Sequence, residues 1–129
     1  PEKFALHTGF DVELAHKIYA GSDFFLMPSK SEPCGLSQMI ALRYGSVPIV
    51  RETGGLCDTV SDCGDGKGNG FTFKTYNAGD MNGAVYRGLS LYYDDKEGFE
   101  KLKKRALKCD NSWKKSALDY IKLYKSLLK

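Results

Sequence analysis

A short loop between an apolar run and a predicted helix carries the residues best suited to chemistry. Glu32 supplies a carboxylate, and Gly35 lets a ligand approach the backbone closely. Gly35, Leu36 and Ser37 then open the helix, whose free N–H groups and positive dipole end suit a phosphate. A carboxylate for a sugar beside such an N-terminus is what a nucleotide-sugar site needs. The alternative, in which Glu32 and Ser37 only cap the helix, also fits these residues.

The elements that would position this loop alternate between short apolar strands and helices. The sequence predicts strands at 4–7, 23–27, 47–50 and 71–73. Strand, helix, strand at this spacing predicts right-handed βαβ units and a parallel α/β sheet. The loop follows strand 23–27, so it is predicted to lie at the carboxyl edge, where open α/β sheets bind ligands.

The remaining segments are predicted to be helices and one loop. Asp11 is expected to cap a helix that runs to about Tyr19 and stops at Gly21. Residues 61–70 hold four glycines and are predicted to form a mobile surface loop. From Asn77 onward the pattern is helical, with breaks at 94–95 and 110–111. The last of these helices carries one apolar stripe, formed by Trp113, Ala117, Tyr120, Ile121, Tyr124 and Leu128.

Composition excludes several classes of protein. The 129 residues fit one domain or part of a larger one, and 42% hydrophobic with 27% charged residues suits a globular chain. No apolar run approaches the roughly 18 residues of a membrane span, and no signal segment opens the chain. Because it starts at Pro1 without a Met, we expect a fragment or a processed piece. The four cysteines lack metal-site spacing, so we expect no metal and free thiols in a cytoplasmic protein.

Charge is distributed unevenly along the chain. Residues 96–129 hold eleven Lys or Arg against four Asp or Glu, a net of +7, whereas the first 95 residues have a net of −4. The basic residues alternate with apolar ones at helical spacing, which indicates the solvated face of an amphipathic helix and not a nucleic-acid surface. We therefore expect neither a nucleic-acid partner nor a membrane partner. A Rossmann dehydrogenase is excluded because no GxGxxG joins a strand to a helix.

Two long runs resemble one enzyme family. Residues 22–38, SDFFLMPSKSEPCGLSQ, resemble the signature of glycogen and starch synthases, and residues 43–60, RYGSVPIVRETGGLCDTV, resemble the same family without a gap. Residues 9–20 and the closing helix 111–128 resemble it more loosely. About half of the chain is matched firmly. The form Glu-Pro-Cys-Gly-Leu is similar to bacterial and plastid members.

The resemblance implies a fold and an activity. The family has the two-domain GT-B fold, and residues 1–129 would be an incomplete C-terminal, nucleotide-sugar-binding domain with a Rossmann-like sheet. It implies transfer of glucose from ADP-glucose to the nonreducing end of an α-1,4-glucan, with retention of configuration and without a metal or a cofactor. The alternative is a stand-alone nucleotide- or sugar-binding module without catalysis.

The resemblance also implies roles for individual residues. Glu32 matches the carboxylate beside the donor glucose, which would hold sugar hydroxyls and favour an oxocarbenium-like transition state. Phe10 matches an aromatic placed against the adenine. Ser37 would bond the diphosphate. The backbone that borders the glucose and the distal phosphate would be that of Cys34, Gly35 and Leu36.

Some of the family's pattern is absent from this chain. Ile40 occupies the position of a second acid found in many related retaining transferases. The family's diphosphate-binding bases and acceptor residues match no part of these 129 residues, and neither Lys30 nor Arg51 is assigned to those roles. The isolated chain is therefore predicted to be inactive. Its open sheet edges predict either that strand 4–7 moves beside strand 23–27 or that two copies associate.

Overall fold

The computed structural model describes residues 2–128, which form a three-stranded parallel sheet with helices around it. Strands β1 (Phe24–Met27), β2 (Val47–Arg51) and β3 (Phe71–Phe73) lie in the order β1-β2-β3. Phe24 pairs with Val47, and Ile49 pairs with Phe71. The predicted parallel α/β class is confirmed, and three of the four predicted strands form.

In the described part of the chain, six α-helices and one 3₁₀ turn, Cys63–Asp65, connect and cover the strands. Asp11 caps the first helix as predicted, because its carboxylate accepts the N–H of Leu14 at 2.9 Å. Breaks follow Asp94 and Leu107, close to where the sequence predicts them. The helices are α1 (Val12–Gly21), α2 (Ser37–Tyr44), α3 (Gly55–Thr59), α4 (Ala78–Asp94), α5 (Lys96–Leu107) and α6 (Trp113–Leu127).

The core lies on both faces of β2, the central strand. Val47 and Ile49 pack on one face with residues from β3, α4 and α5. Val50 packs on the other face against Leu56 of α3 and Val60. Burial on both faces explains why this strand reads as a continuous apolar run, as strands of parallel sheets do.

The predicted strand at 4–7 does not form. Within residues 2–128 it pairs with no other strand, and Phe4 and Leu6 are 71% and 77% exposed. The prediction that this segment closes the edge of β1 is therefore wrong. An apolar pattern indicates that burial of the side chains is favourable. A strand also needs a neighbouring strand to form hydrogen bonds with its N–H and C=O groups. Association of two copies through the open edge stays a prediction.

Helix α6 carries an apolar stripe that the described chain leaves uncovered. None of its residues is buried, and Trp113 is 87% exposed. Among the described residues, no helix is both long enough and apolar enough to cross a bilayer.

The segment 61–70 is more tightly held than a surface loop, contrary to the sequence prediction. Asp62 and Gly70 form a bridge, and Gly68 and Gly70 are buried. Both oxygens of Asp62 accept from the guanidinium of Arg87 at 2.8 Å, and the N–H of Thr72 donates to the same carboxylate. The segment therefore joins β3 to α4 through one charged pair.

This pair predicts an acid-dependent part of the stability. Partial burial by itself raises the pKa of Asp62, but hydrogen bonds from Arg87, Thr72 and Gly64 outweigh it and lower the pKa to about 2. The stabilisation is therefore complete above the ordinary pKa of about 3.8 and is lost as the pH falls towards 2. After allowance for solvent screening we expect Asp62→Asn to cost about 1–2 kcal/mol at pH 6.

Urea unfolding of the full-length protein at pH 6 and pH 3 measures this effect. The difference between wild type and Asp62→Asn should shrink at pH 3. Asp58→Asn, which alters an exposed carboxylate on α3, is the control and should cost little at either pH. An Asp62 effect that does not depend on pH would contradict the prediction.

Candidate functional site

The loops after the three strands meet at one edge of the sheet. Because the strands are parallel and Met27 pairs with Val50, the loop after β1 lies beside the residues that follow β2. Arg51 pairs with Phe73, so the segment after β3 lies at the same edge. This arrangement places the loop 28–36, which contains Glu32 and which we call the acid loop, where open α/β sheets bind ligands.

The side chain of Arg51 binds the backbone at the start of the acid loop. Its guanidinium donates to the backbone carbonyls of Ser29, at 2.9 Å from Nε, and of Lys30. A third contact reaches the carbonyl of Lys74 at 3.3 Å, and the ring of Tyr76 lies 5.7 Å from the guanidinium carbon. Three of the N–H groups of Arg51 therefore donate to backbone carbonyls.

Two glycines hold the other end of the acid loop. The N–H of Gly55 donates to the carbonyl of Glu32 at 3.1 Å. Gly54 has a φ of +47°, and a Cβ on it would overlap the Glu32 carbonyl oxygen. A Cβ on Gly55 would lie 2.6 Å from the Cα of Cys34. The two backbones therefore touch, and only residues without side chains allow this contact.

Helix α2 begins directly after the acid loop. Leu36 is its N-cap, and the first backbone bond is donated by Ile40 to the Leu36 carbonyl at 3.0 Å. Six consecutive N–H groups have no acceptor within residues 2–128; they belong to Cys34, Gly35, Leu36, Ser37, Gln38 and Met39. Free N–H groups at a helix start, together with the helix dipole, favour an anion.

The side chain of Gln38 lies buried behind this N-terminus. It is 0% exposed, and its amide nitrogen lies 2.8 Å from the carbonyl of Gly35 and 3.2 Å from that of Cys34. The same nitrogen lies 3.1 Å from the hydroxyl of Thr59 on α3, which in turn donates to the carbonyl of Gly55. The acid loop, α2 and α3 are thus joined through one side chain.

The structure brings most of the predicted site residues together but leaves one apart. Glu32, Cys34, Gly35, Leu36 and Ser37 lie on the acid loop and at the start of α2, and none of them is buried. Their side chains and N–H groups are open to a ligand. The roles expected for them stay predictions.

Phe10 lies in the exposed segment before α1, and its ring is 96% exposed. It forms no aromatic pair within residues 2–128. The structure therefore does not join Phe10 to the acid loop.

A cleft opens beside the acid loop. It has a volume of about 510 Å³ and lies between Cys34, Leu36 and Met39 on one side and the start of α6 on the other. Glu32 does not line it. A larger cavity of about 740 Å³ lies between α4, α5 and the turn at Cys63, away from the acid loop. The sequence pattern had not indicated either cleft.

Three residues that position the site were not found by sequence reasoning as functional. Gln38 gave a signal, since it is a polar residue on the face of α2 that also presents Ala41 and Leu42 to the core. Gly54 and Gly55 were predicted only as a turn. Their contact with the acid loop joins residues about 20 positions apart, which no local pattern reports.

The fold and the site define a class of protein: a parallel α/β domain with an acid and a free helix N-terminus at the carboxyl edge of its sheet. The chain belongs to the family described as glycosyl transferases group 1, whose family model matches residues 5–108. The match confirms the predicted family, that of glycosyltransferases.

The chain is similar to bacterial glycogen synthases along almost its whole length. It is 53% identical to the glycogen synthase of Desulforudis audaxviator (strain MP104C) and 58% identical to that of Bacillus anthracis, each over 130 aligned positions. These alignments cover 99% of this chain but 26% and 27% of the relatives. The chain therefore spans about a quarter of the length of these glycogen synthases, and the resemblance seen in the sequence is confirmed.

Solved structures give the same result. The catalytic domain of starch synthase IV from Arabidopsis thaliana, bound to ADP and acarbose, matches with a TM-score of 0.83 and 46% identity over 92% of this chain and 25% of that one. Sucrose-phosphate synthase from Thermosynechococcus elongatus matches with a TM-score of 0.64 and 25% identity over 92% of this chain and 29% of that one. Both neighbours are GT-B glycosyltransferases, which confirms the predicted fold class.

Proposed function

We propose that this chain is the part of a glycogen synthase that binds the donor, and that the whole enzyme moves glucose from ADP-glucose to the nonreducing end of an α-1,4-glucan with retention of configuration. The observation that carries the proposal is the run of six free N–H groups that begins two residues after Glu32, at the carboxyl edge of the sheet. Similarity to glycogen synthases and to a starch synthase solved with ADP supports this choice of substrates.

Different residues of the site are proposed to bind the diphosphate and the glucose of the donor. In the proposal the N–H groups of Gly35 and Leu36, with the hydroxyl of Ser37, bind the diphosphate at the positive end of α2. Glu32, held by its backbone at Gly55, presents its carboxylate to the donor glucose. As the bond to the leaving phosphate breaks, positive charge develops on the sugar ring, and a fixed carboxylate stabilises that charge. Phe10 is proposed to contact the adenine.

The proposal assigns no metal and no redox cofactor. Among the described residues no group of three His, Cys, Asp or Glu side chains is placed to hold a metal ion. Neutralisation of the diphosphate then requires bases from other parts of the enzyme in addition to the N–H groups of α2. We place the enzyme in the cytoplasm, without a nucleic-acid or membrane partner.

Glucose incorporation by the full-length enzyme tests the proposal. We expect labelled glucose from ADP-glucose to enter glycogen, with α-linked product, more efficiently than from UDP-glucose, and with no loss of rate in a metal chelator. The chain of residues 1–129 alone should incorporate none, since it spans about a quarter of its relatives. A preference for UDP-glucose, or a need for metal, would contradict the corresponding part of the proposal. A β-linked product would contradict retention.

A stand-alone binding module is the second candidate. It predicts that the natural protein is no longer than this chain and binds the nucleotide sugar without turnover. The mass of the natural protein separates the two candidates directly.

A further inference from the structure

We propose that Gln38 is a positioning residue that aims the backbone N–H groups of Gly35 and Leu36 at the distal phosphate of the donor. The inference rests on the proposed function, in which those groups bind the diphosphate. Gln38 itself touches no substrate, because its side chain is 0% exposed and lies behind the start of α2. Its effect on the ligand is exerted through two peptide groups.

The first step is the geometry of a trans peptide. The C=O of one residue and the N–H of the next lie in one plane and point in opposite directions. Gln38 attracts the carbonyls of Cys34 and Gly35 towards the protein interior, at 3.2 and 2.8 Å from its amide nitrogen. The N–H groups on the far side of these two peptides belong to Gly35 and Leu36. They must therefore point away from Gln38 and out of the protein.

The second step is that these two peptides have few other contacts: besides Gln38, the thiol of Cys34 lies 3.7 Å from the Gly35 carbonyl oxygen, the distance of a weak hydrogen bond. Gly35 has a φ of +75°, and a glycine can rotate into conformations closed to other residues. Within residues 2–128 no acceptor holds the N–H of Gly35 or of Leu36. Without the Gln38 amide, either peptide could turn its carbonyl outward and present a negative oxygen to the phosphate.

The third step is that the amide of Gln38 is itself held in one orientation. Its nitrogen is surrounded by three oxygens, those of Cys34, Gly35 and the Thr59 hydroxyl, so the opposite orientation would place oxygen against oxygen. The Thr59 hydroxyl donates to the Gly55 carbonyl at 3.0 Å and is left to accept from Gln38. The amide oxygen is buried without a partner within the described residues, which costs free energy.

Nucleotide binding to the full-length enzyme tests the inference, with ADP and AMP as probes. Gln38→Met keeps the length of the side chain but removes the donor. We expect it to weaken ADP binding by about tenfold, the effect of losing roughly one charge-assisted hydrogen bond, and to change AMP binding less than about twofold. Titration calorimetry measures both, and AMP serves as the reference because it lacks the distal phosphate.

Thr59→Val is the matched control. It removes the hydroxyl that Gln38 also contacts and so disturbs the same buried cluster, but it leaves both carbonyls of the acid loop with their donor. Two carbonyl oxygens still face the amide nitrogen and keep its orientation, so ADP binding should stay within about twofold of wild type. Unchanged ADP binding in Gln38→Met overturns the inference. Equal losses of ADP and AMP binding in both variants also overturn it, because they show a general loosening of the domain.

A second variant covers the case in which Gln38→Met does not fold. In Gln38→Glu, the buried carboxyl can donate one O–H to a carbonyl when protonated, but it repels both carbonyls when ionised. ADP affinity relative to wild type should therefore rise as the pH falls. A ratio independent of pH overturns the inference. If wild type binds ADP no more tightly than AMP, the proposed function itself fails, and the two failures are thus distinguished.

Discussion

Replacement of Glu32 by Ala in the full-length enzyme is expected to lower kcat by about 10²–10³ and to change KM for the donor little. The magnitude is that of losing one preorganised electrostatic group from a transition state. The N–H of Gly55 holds the backbone of Glu32 at the carboxyl edge of the sheet before substrate binds. An interaction made mainly in the transition state lowers kcat and leaves the affinity of the ground state nearly unchanged. Steady-state kinetics with ADP-glucose and glycogen measure both constants.

Two further variants make the test of Glu32 specific. Glu32→Gln keeps the shape and removes the charge, and it should lose nearly as much kcat as the alanine variant if charge is what matters. Glu13→Gln, in an exposed ion pair with Lys17 on α1, changes the same charge elsewhere and should be kinetically silent. Near-normal kcat with a loss of donor affinity alone would show that Glu32 binds the sugar and does not stabilise the transition state.

Replacement of Gly55 by Ala is expected to disrupt the acid loop. The added Cβ would lie 2.6 Å from the Cα of Cys34, so one of the two backbones must move. Movement breaks the hydrogen bond from Gly55 to the Glu32 carbonyl and displaces Glu32, the proposed catalytic residue. We expect a loss of about 3 kcal/mol in stability, since overpacking costs about 1–3 kcal/mol and the broken hydrogen bond adds to it. Misplacement by about 1 Å can also lower kcat about 10²-fold.

Gly83→Ala provides the matched control for this substitution. Gly83 lies inside α4, and a Cβ there would meet no atom within 4 Å. Alanine favours a helix over glycine by about 0.5–1 kcal/mol, so this variant should be more stable and equally active. Urea unfolding and kcat, measured for both variants of the full-length enzyme, test the expected changes in stability and activity. An active and stable Gly55→Ala enzyme would be incompatible with the backbone contact described for the acid loop.

The chain by itself determined the elements that depend on local pattern. Continuous apolar runs indicated β1, β2 and β3, and spacing with capping residues indicated α1 and the breaks around α5. The position of Glu32 at the carboxyl edge followed from the parallel order of strands, which short βαβ connections require. The identity of the family followed from two uninterrupted runs that together hold the acid loop, β2 and the glycine pair.

Tertiary structure decided which apolar segments find a partner. Residues 4–7 and 24–27 have similar apolar patterns, but only the second pairs with a neighbouring strand in the described chain. The sequence likewise predicts the apolar stripe of α6, but in the structure no residue of this helix is buried. An apolar pattern indicates that burial of a segment would be favourable. Whether the segment pairs as a strand depends on which other strands lie beside it.

Tertiary structure also decided how the site is held. In the sequence, Arg51 is a basic residue, Gly55 a turn residue and Gln38 a polar residue within a helix. Each residue type fits its local position without reference to a tertiary contact. Their partners are backbone carbonyls of the acid loop, 22 residues away for Arg51 and Ser29 and 23 for Gly55 and Glu32. Every residue has a backbone carbonyl, so the sequence does not show which carbonyl will accept a given hydrogen bond. The residues predict a role for Glu32 that stays a prediction, and they place it at the carboxyl edge. The backbone contacts that hold its loop exist only once β1 and β2 lie side by side.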